Sequence, residues 1–321
     1  MALSLTVIIP TKNRARMIQA LLESMRNLAG LDHIRPQIIV ADNNSEDSTW
    51  EVLQEITSDF PVPITVIKVY KPGKSAVINE AVRLAKGSLI AFLDDDVTTD
   101  RGWLQAVERF VSRDRFQVGQ GQIQLQSPDA DDPEVQRLIQ RFRTIPKLDF
   151  HHSVERVHSL NGANFVVFRE ALECVGLFDE RLGPGASGTS EDVELARRFA
   201  RAGIAIGYMP EAIAYHGVDR TRLTEEYFKS IHKKQGKSRL VIKDRSVFHI
   251  LFDLCRMSLQ YGIDSLVAKE RRRYRSKGRI YHYLGMLEAK LNPGPTVAGE
   301  NKERGASLPH EQTDAAADIL D

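Results

Sequence analysis

Leu3-Ser4-Leu5-Thr6-Val7-Ile8-Ile9, closed by Pro10, is a short β-rich run that ends in the turn-forming Thr11-Lys12-Asn13-Arg14. Residues 37–41, 64–69 and 88–93 are runs of the same kind, and helical patterns over 15–28, 48–58 and 74–86 separate them. Near-continuous apolar strands alternating with helices predict an α/β fold, a mostly parallel Rossmann-like sheet flanked on both faces by helices. Ligands of such sheets gather at the carboxyl ends of the strands, so chemistry is expected there.

Downstream, a helical stretch from residue 102 leads into 117–125, where Val118, Ile123 and Leu125 alternate with polar residues and glycines as in a half-exposed strand. Residues 128–133 read as a loop. Residues 134–160, rich in Arg and His, show no dominant period and carry no assignment. A strand signal at 165–168 precedes Gly183-Pro184-Gly185-Ala186-Ser187-Gly188, the composition of a mobile loop, which runs into a helix opening at Ser190-Glu191-Asp192. After His216 the pattern is helical and basic, and from Asn292 it is rich in Gly, Pro and acids without periodicity. The expected division is a catalytic unit over 1–218, a basic helical extension over 219–291 and a disordered tail over 292–321.

The 321 residues carry 44 Lys plus Arg against 43 Asp plus Glu, but the balance is uneven along the chain. Residues 1–218 hold 24 basic and 29 acidic side chains, residues 219–290 hold 18 and 8, and residues 291–321 hold 2 and 6. A basic block behind an acidic region points to an anionic partner. Residues 247–254 with Leu259, Tyr261, Ile263 and Leu266 place apolar surface beside Arg271-Arg272-Arg273, the pairing of interfacial helices. The alternative is a solvated helical face packed on the catalytic unit. Aromatic residues in the block form no RNA or DNA module, so nucleic acid is not an expected partner. No apolar run reaches the roughly 20 residues of a membrane-spanning helix, and residues 3–9 lack the basic start and cleavage site of a signal peptide. Cys174 and Cys255, far apart in apolar surroundings, make neither a disulfide framework nor a structural zinc site and point to a reducing compartment. The expected location is cytoplasmic, with the extension peripheral at the inner face of a membrane.

Four groups of residues are suited to chemistry. Phe92-Leu93-Asp94-Asp95-Asp96-Val97 sets three carboxylates at a strand exit, where they repel unless a cation neutralises them, and hard oxygens favour Mg or Mn. A solvated turn capping the helix near Trp103 is the plain alternative. Strand ends at Pro10-Thr11-Lys12-Asn13-Arg14 and Asp42-Asn43-Asn44-Ser45 lie side by side, and Asp42 suits a base or ribose as well as an Asx turn. Gly73-Lys74-Ser75-Ala76 opens a helix whose N-terminus and lysine favour an anion, without full P-loop spacing. Glu191-Asp192 is either an acidic pair with a catalytic task or the dipole-complementing start of a helix capped by Ser190.

In this order, together with Asn161-Gly162-Ala163-Asn164 and His216, these motifs resemble the family 2 glycosyltransferases of GT-A fold over roughly residues 3–218. The resemblance implies an inverting, metal-dependent transferase. It would move a sugar from a nucleotide-sugar, a UDP-sugar above others, to a hydroxyl acceptor in cell-surface polysaccharide, glycolipid or glycoconjugate synthesis. It assigns Pro10, Thr11, Asn13, Arg14, Asp42, Lys74, Asp94 and Asp95 to the nucleotide-sugar, and Asp96, Asp94 and His216 to a divalent Mn or Mg ion. Asn161, Gly162, Asn164 and Glu191 fall on the acceptor side, where a glycan or lipid-linked acceptor would bind. Asp192, with Glu191, falls at the general-base position. The chemistry agrees, because inversion needs a carboxylate to take the acceptor proton and a cation to stabilise the departing diphosphate. Loop 183–188 is expected to close over the donor and exclude water. A catalytically silent binding or scaffold subunit keeps the same fold, and a nucleotidyltransferase would use a related sheet with a different carboxylate arrangement.

Overall fold

The computed structural model describes residues 3–267 and 270–292. The first half runs β1 (Leu5–Thr11), α1 (Ala15–Arg26), α2 (Leu31–Ile34), β2 (Gln37–Asp42), α3 (Thr49–Thr57), β3 (Ile64–Lys68), α4 (Lys74–Leu84), β4 (Leu89–Leu93), β5 (Val97–Thr99) and α5 (Trp103–Ser112). It continues with β6 (Val118–Leu125), α6 (Pro133–Phe142), β7 (Arg156–Val157), β8 (Asn164–Phe168), α7 (Arg169–Val175), α8 (Glu191–Arg201) and β9 (Ile206–His216). A 3-10 turn (Arg220–Arg222) then leads to three helices, α9 (Glu225–Ile242), α10 (Val247–Leu266) and α11 (Glu270–Leu291).

Strand order is β3-β2-β1-β4-β8-β6-β9-β5, with β7 also on β9. β3, β2, β1 and β4 are parallel, as are β6 and β9. β8 runs antiparallel between β4 and β6, and β5 and β7 pair antiparallel with β9. The sheet is therefore mixed, and its two longest pairings, β1 with β2 and β6 with β9, are parallel.

The two-residue period of the strands builds a core on each face. Val7, Ile9, Ile38, Val40, Leu89 and Leu93 pack with Leu21 and Leu22 of α1 and Trp103 of α5. Their neighbours Ile8, Ile39, Ile90 and Phe92 face the opposite layer, with Val77 and Ile78 of α4 and Leu195 and Phe199 of α8. The half-exposed strand expected over 117–125 is instead central, and β6 is buried from Val118 to Ile123. Its glutamines tolerate this because they find partners inside: Gln120 Nε2 donates to the Asn164 carbonyl at 2.8 Å, and Gln122 Nε2 donates to Asp149 at 2.7 Å.

Residues 134–160, unassigned from sequence, contribute α6. Asp132 caps it by accepting the Glu134 N–H at 2.8 Å, with Pro133 in its first turn. Val135, Ile139 and Phe142 of α6 join Leu223, Phe228 and Tyr274 in a third core that ties the C-terminal helices to the body. α9 and α11 approach so closely that a Cβ at Gly236 would lie 2.0 Å from the His282 carbonyl oxygen. Cys174 and Cys255 are free and exposed, not buried in apolar surroundings. Beyond Asn292 the tail predicted over 292–321 lies outside the described residues, as does Lys269. Among the described residues no helix is long and apolar enough to cross a membrane.

Candidate active site

Register brings the first two strand ends together, with Thr11 opposite Asp42. Asp42 is fully buried and accepts the Ser45 N–H at 3.2 Å and the Ser45 hydroxyl, an Asx-type turn. Asn13, in the left-handed region at φ 53°, donates its N–H to Ser45 Oγ at 2.8 Å and accepts the Glu46 N–H at 2.8 Å. The Thr11 hydroxyl donates to Asp95 at 2.7 Å. Asn13 and Asp42 thus meet on Ser45, and Thr11 ties β1 to the exit of β4. Pro10 reaches the cleft beside them.

The three aspartates after β4 are not needed as a helix cap, because Asp100 accepts the Gly102 N–H at 2.8 Å. They divide between two clusters. Asp95 and Asp96 take Arg14 Nη1 at 2.5 and 3.1 Å. Burial pushes the Asp95 carboxyl up to about 6 even though Arg14 pulls it down. Antiparallel pairing of Val97 with His216 then sets the imidazole next to Asp96, with Nε2 3.5 Å from Oδ2. Arg222 bridges the two, its Nη2 3.0 Å from Asp96 Oδ2 and its Nη1 3.5 Å from His216 Nε2. Burial opposes ionisation of Asp96, but His216, Arg14 and Arg222 hold its pKa well below the usual carboxylate range.

His216 Nδ1 lies 2.6 Å from the Gly217 carbonyl oxygen. A carbonyl accepts only, so Nδ1 donates there and Nε2 is the ring nitrogen that faces Asp96. Asp96 Oδ2 and His216 Nε2 face each other, and the guanidinium of Arg222 reaches both. This donor pair fits a divalent ion, and the backbone carbonyl on Nδ1 is the support that metal-binding histidines use. Asp94 does not join it, contrary to the expected three-residue set, because its Oδ1 lies 2.6 Å from Lys74 Nζ. Among the described residues no group of three His, Cys, Asp or Glu side chains is arranged to hold a metal.

The second cluster forms around Lys74, whose Nζ also lies 3.3 Å from Glu191. Burial works against its charge, but Asp94 and Glu191 overcome that and raise its pKa. The anion site expected at the α4 N-terminus is taken: Gly73 N–H donates to Asn43 Oδ1 at 3.1 Å and Lys74 N–H to the Pro184 carbonyl at 2.9 Å. The glycine-rich loop therefore lies over this helix end. Gly185, at φ 85°, sits so near Gly73 that a Cβ would be 3.0 Å from its backbone.

A narrow cleft is lined by Pro10, Lys74, Asp94, Glu191 and Asp192 together with Phe92, Phe165 and Phe178. Ser190 does not cap α8, for it stands at φ 75° and its side chain makes no cap hydrogen bond. Asp192 instead accepts the Gly162 N–H at 2.9 Å on Oδ2 and the Val193 N–H at 2.7 Å on Oδ1. Burial and the charge of Glu191 push its carboxyl up to about 7, against the pull of Lys74. Gly162 is the junction of the cluster. A Cβ there would lie 3.1 Å from Lys74 Nζ, 3.6 Å from Asp94 Oδ2 and 3.7 Å from Asp192 Oδ2.

Of the Asn-Gly-Ala-Asn stretch, Asn161 is half-buried and accepts the Ala163 N–H at 3.1 Å. Asn164 is fully buried and does not line the acceptor side as expected. β6 and β9 slip register after Gly121, and the Asn164 amide fills the gap, donating to the Gln122 and Ala212 carbonyls at 2.9 and 2.7 Å. Its own oxygen accepts from Trp103 Nε1 at 2.9 Å. Arg222 is the site residue that the sequence reading missed. It lies six positions after His216, where it reads as one more charge of the basic block.

The family description Glycosyl transferase family 2 matches residues 6–176, which carry the strand ends, Lys74, the three aspartates and residues 161–164. The chain belongs to glycosyl transferase family 2. Glu191, Asp192 and His216 lie beyond the matched stretch. Among curated relatives of this family 2 chain, glycosyltransferase AglE of Haloferax volcanii is 23% identical over 211 residues, which cover 66% of each chain. The pre-mycofactocin glycosyltransferase of Mycobacterium tuberculosis is 29% identical over 229 residues, covering 68% of this chain and 44% of that one. The chain thus spans 44% to 66% of the length of these relatives. Among solved structures, mannosyltransferase PcManGT from Pyrobaculum calidifontis, in complex with GDP-Man and Mn2+, superposes with a TM-score of 0.61 at 16% identity, covering 92% of this chain and 89% of that one. S. aureus TarS 1-349 in complex with UDP superposes with a TM-score of 0.52 at 16% identity, covering 93% and 94%. These likenesses establish the GT-A fold for this family 2 chain.

Proposed function

We propose that this chain is an inverting glycosyltransferase that moves a sugar from a nucleotide-sugar to a hydroxyl acceptor. The observation that carries the proposal is Asp192, held by the Gly162 and Val193 amides at the edge of the cleft, with its carboxyl raised to about 7. A carboxylate that titrates near neutrality is matched to accepting a proton from an attacking hydroxyl. Glu191 keeps Asp192's pKa high and shares Lys74 with Asp94. Lys74 lies across the cleft, where its charge favours the donor's phosphates, and loop 183–188 shields that place from water once the donor is seated. Asp96 and His216 would hold a divalent ion, Mn or Mg, which supplies neutralisation of the departing diphosphate. Asn161 and Gly162 border the acceptor side. The donor proposed is a UDP-sugar and the acceptor a glycan or a lipid-linked hydroxyl. The solved relatives carry both UDP and GDP-Man, so the base is the first variable to test.

A second reading rests on Arg14 and Arg222, which already sit on Asp96. Under it the two guanidiniums neutralise the diphosphate, and transfer proceeds without metal. Proton NMR of the first product formed tests the main proposal, because single displacement inverts the anomeric configuration and retention would overturn it. Turnover that persists in excess EDTA decides for the second reading.

A further inference from the structure

α10 is amphipathic in the reverse of the usual sense for a surface helix. Ile250, Asp253, Met257 and Asp264 are its buried residues, and the helix packs on α11. Asp253 accepts from Arg245 at 2.7 Å and Arg256 at 3.3 Å, and Asp264 accepts from Gln260 at 2.9 Å. Both carboxylates of the helix therefore point inward with their partners supplied. The outer side carries Phe248, Phe252, Leu259, Ile263 and Leu266, spaced three, four or seven residues apart and so on one face. Phe248 is 76% exposed, Leu259 70% and Leu266 87%. Twenty helical residues extend about 30 Å, and water-exposed phenylalanine and leucine along that length mark an interaction surface.

Charge identifies the occupant. No carboxylate stands on the outer side of α10, whereas Arg271 and Arg272 lie exposed at the start of α11. Residues 219–290 carry 18 basic against 8 acidic side chains. A second copy packed along this face would bring like charges together, whereas anionic headgroups would neutralise them. We infer that α10 lies in the interface of an anionic lipid bilayer, with Phe248, Phe252, Leu259, Ile263 and Leu266 immersed and Arg271 and Arg272 on the headgroup phosphates. Buried apolar area together with basic flanks is what holds interfacial helices to membranes. The surface lies outside the carboxylate clusters, so binding is measured apart from sugar transfer.

The test is co-sedimentation of the full chain with vesicles of phosphatidylcholine alone and of phosphatidylcholine mixed with phosphatidylglycerol. The wild type should bind the mixed vesicles, and added salt should weaken that binding. Joint Phe248→Ser, Phe252→Ser and Leu259→Ser substitution should lower binding at least about tenfold without lowering the melting temperature, because these side chains contact water in the free protein. An independent Arg271→Glu, Arg272→Glu pair should lower it about fivefold or more per position. The inference is overturned if the wild type ignores the mixed vesicles or if both variants bind as it does. It is equally overturned if sedimentation equilibrium shows a dimer that the triple variant disperses, which assigns the face to a second copy.

Discussion

Replacement of Asp192 by Asn should lower turnover by orders of magnitude and stabilise the fold at the same time. The wild-type carboxyl titrates at about 7 instead of 3.8 because burial and Glu191 disfavour its charge. A carboxyl whose folded pKa lies above its unfolded value contributes stability that is complete below the unfolded value and lost as pH rises through the folded one. At about 1.4 kcal/mol per pKa unit the shift bounds the cost of the charge at about 4 kcal/mol. Its partly exposed side chain reduces that to about 1–2 kcal/mol. Asn keeps the shape, and its carbonyl oxygen still accepts the Gly162 N–H, while loss of the Val193 N–H hydrogen bond offsets part of the gain. Thermal denaturation at pH 8 should therefore place Asp192→Asn above the wild type by a few degrees, and the gap should close at pH 4, where the wild-type carboxyl is protonated. Turnover should fall about 10²- to 10⁴-fold, the range for loss of a general base. A variant that melts below the wild type at pH 8, or whose gap is the same at both pH values, would refute the buried-charge reasoning.

Wild-type kcat/KM should rise with unit slope up to a pH near 7 and then level, as Asp192 loses its proton; a profile flat from pH 5 to 8 excludes it as the base. Asp96→Ala should leave Arg14, Arg222 and His216 without their shared anion, so metal-supported turnover should disappear, as followed by nucleotide release at a series of manganese concentrations. Gly162→Ala inserts a Cβ 3.1 Å from Lys74 Nζ and should lower kcat about tenfold or more while the melting curve stays within a degree or two of wild type. Asn164→Ala should act the other way: three buried hydrogen bonds are lost and two carbonyls are left unsatisfied, at about 3 kcal/mol or more, read as a lower urea midpoint in soluble protein.

The sheet was legible because β1, β2 and β4 are buried on both faces and, with the half-buried edge strand β3, read as apolar runs between helical periods. β6 was misread because its glutamines and glycines look solvent-facing; only the three-dimensional partners of Gln120 and Gln122 show why they are tolerated inside. α6 left a signal in Asp132-Pro133-Glu134, a cap followed by proline, which the surrounding Arg and His residues masked. At the site, motif order located both carboxylate clusters but not the partition of Asp94, Asp95 and Asp96 between them. That partition depends on which cation each strand exit meets, Lys74 for Asp94 and Arg14 for its two neighbours. Asn164 shows the same limit. A buried amide filling a register slip and an amide facing a ligand have identical sequence signatures.

The deciding measurement is nucleotide release from a panel of UDP-, GDP- and dTDP-sugars, with and without manganese, comparing wild type with Asp192→Asn and Asp96→Ala. The wild type should release nucleotide from one donor class, and neither variant should release any above background. Equal release by wild type and Asp192→Asn, or the absence of both turnover and sugar-nucleotide binding across the whole panel with glycan and lipid acceptors present, would contradict the proposal.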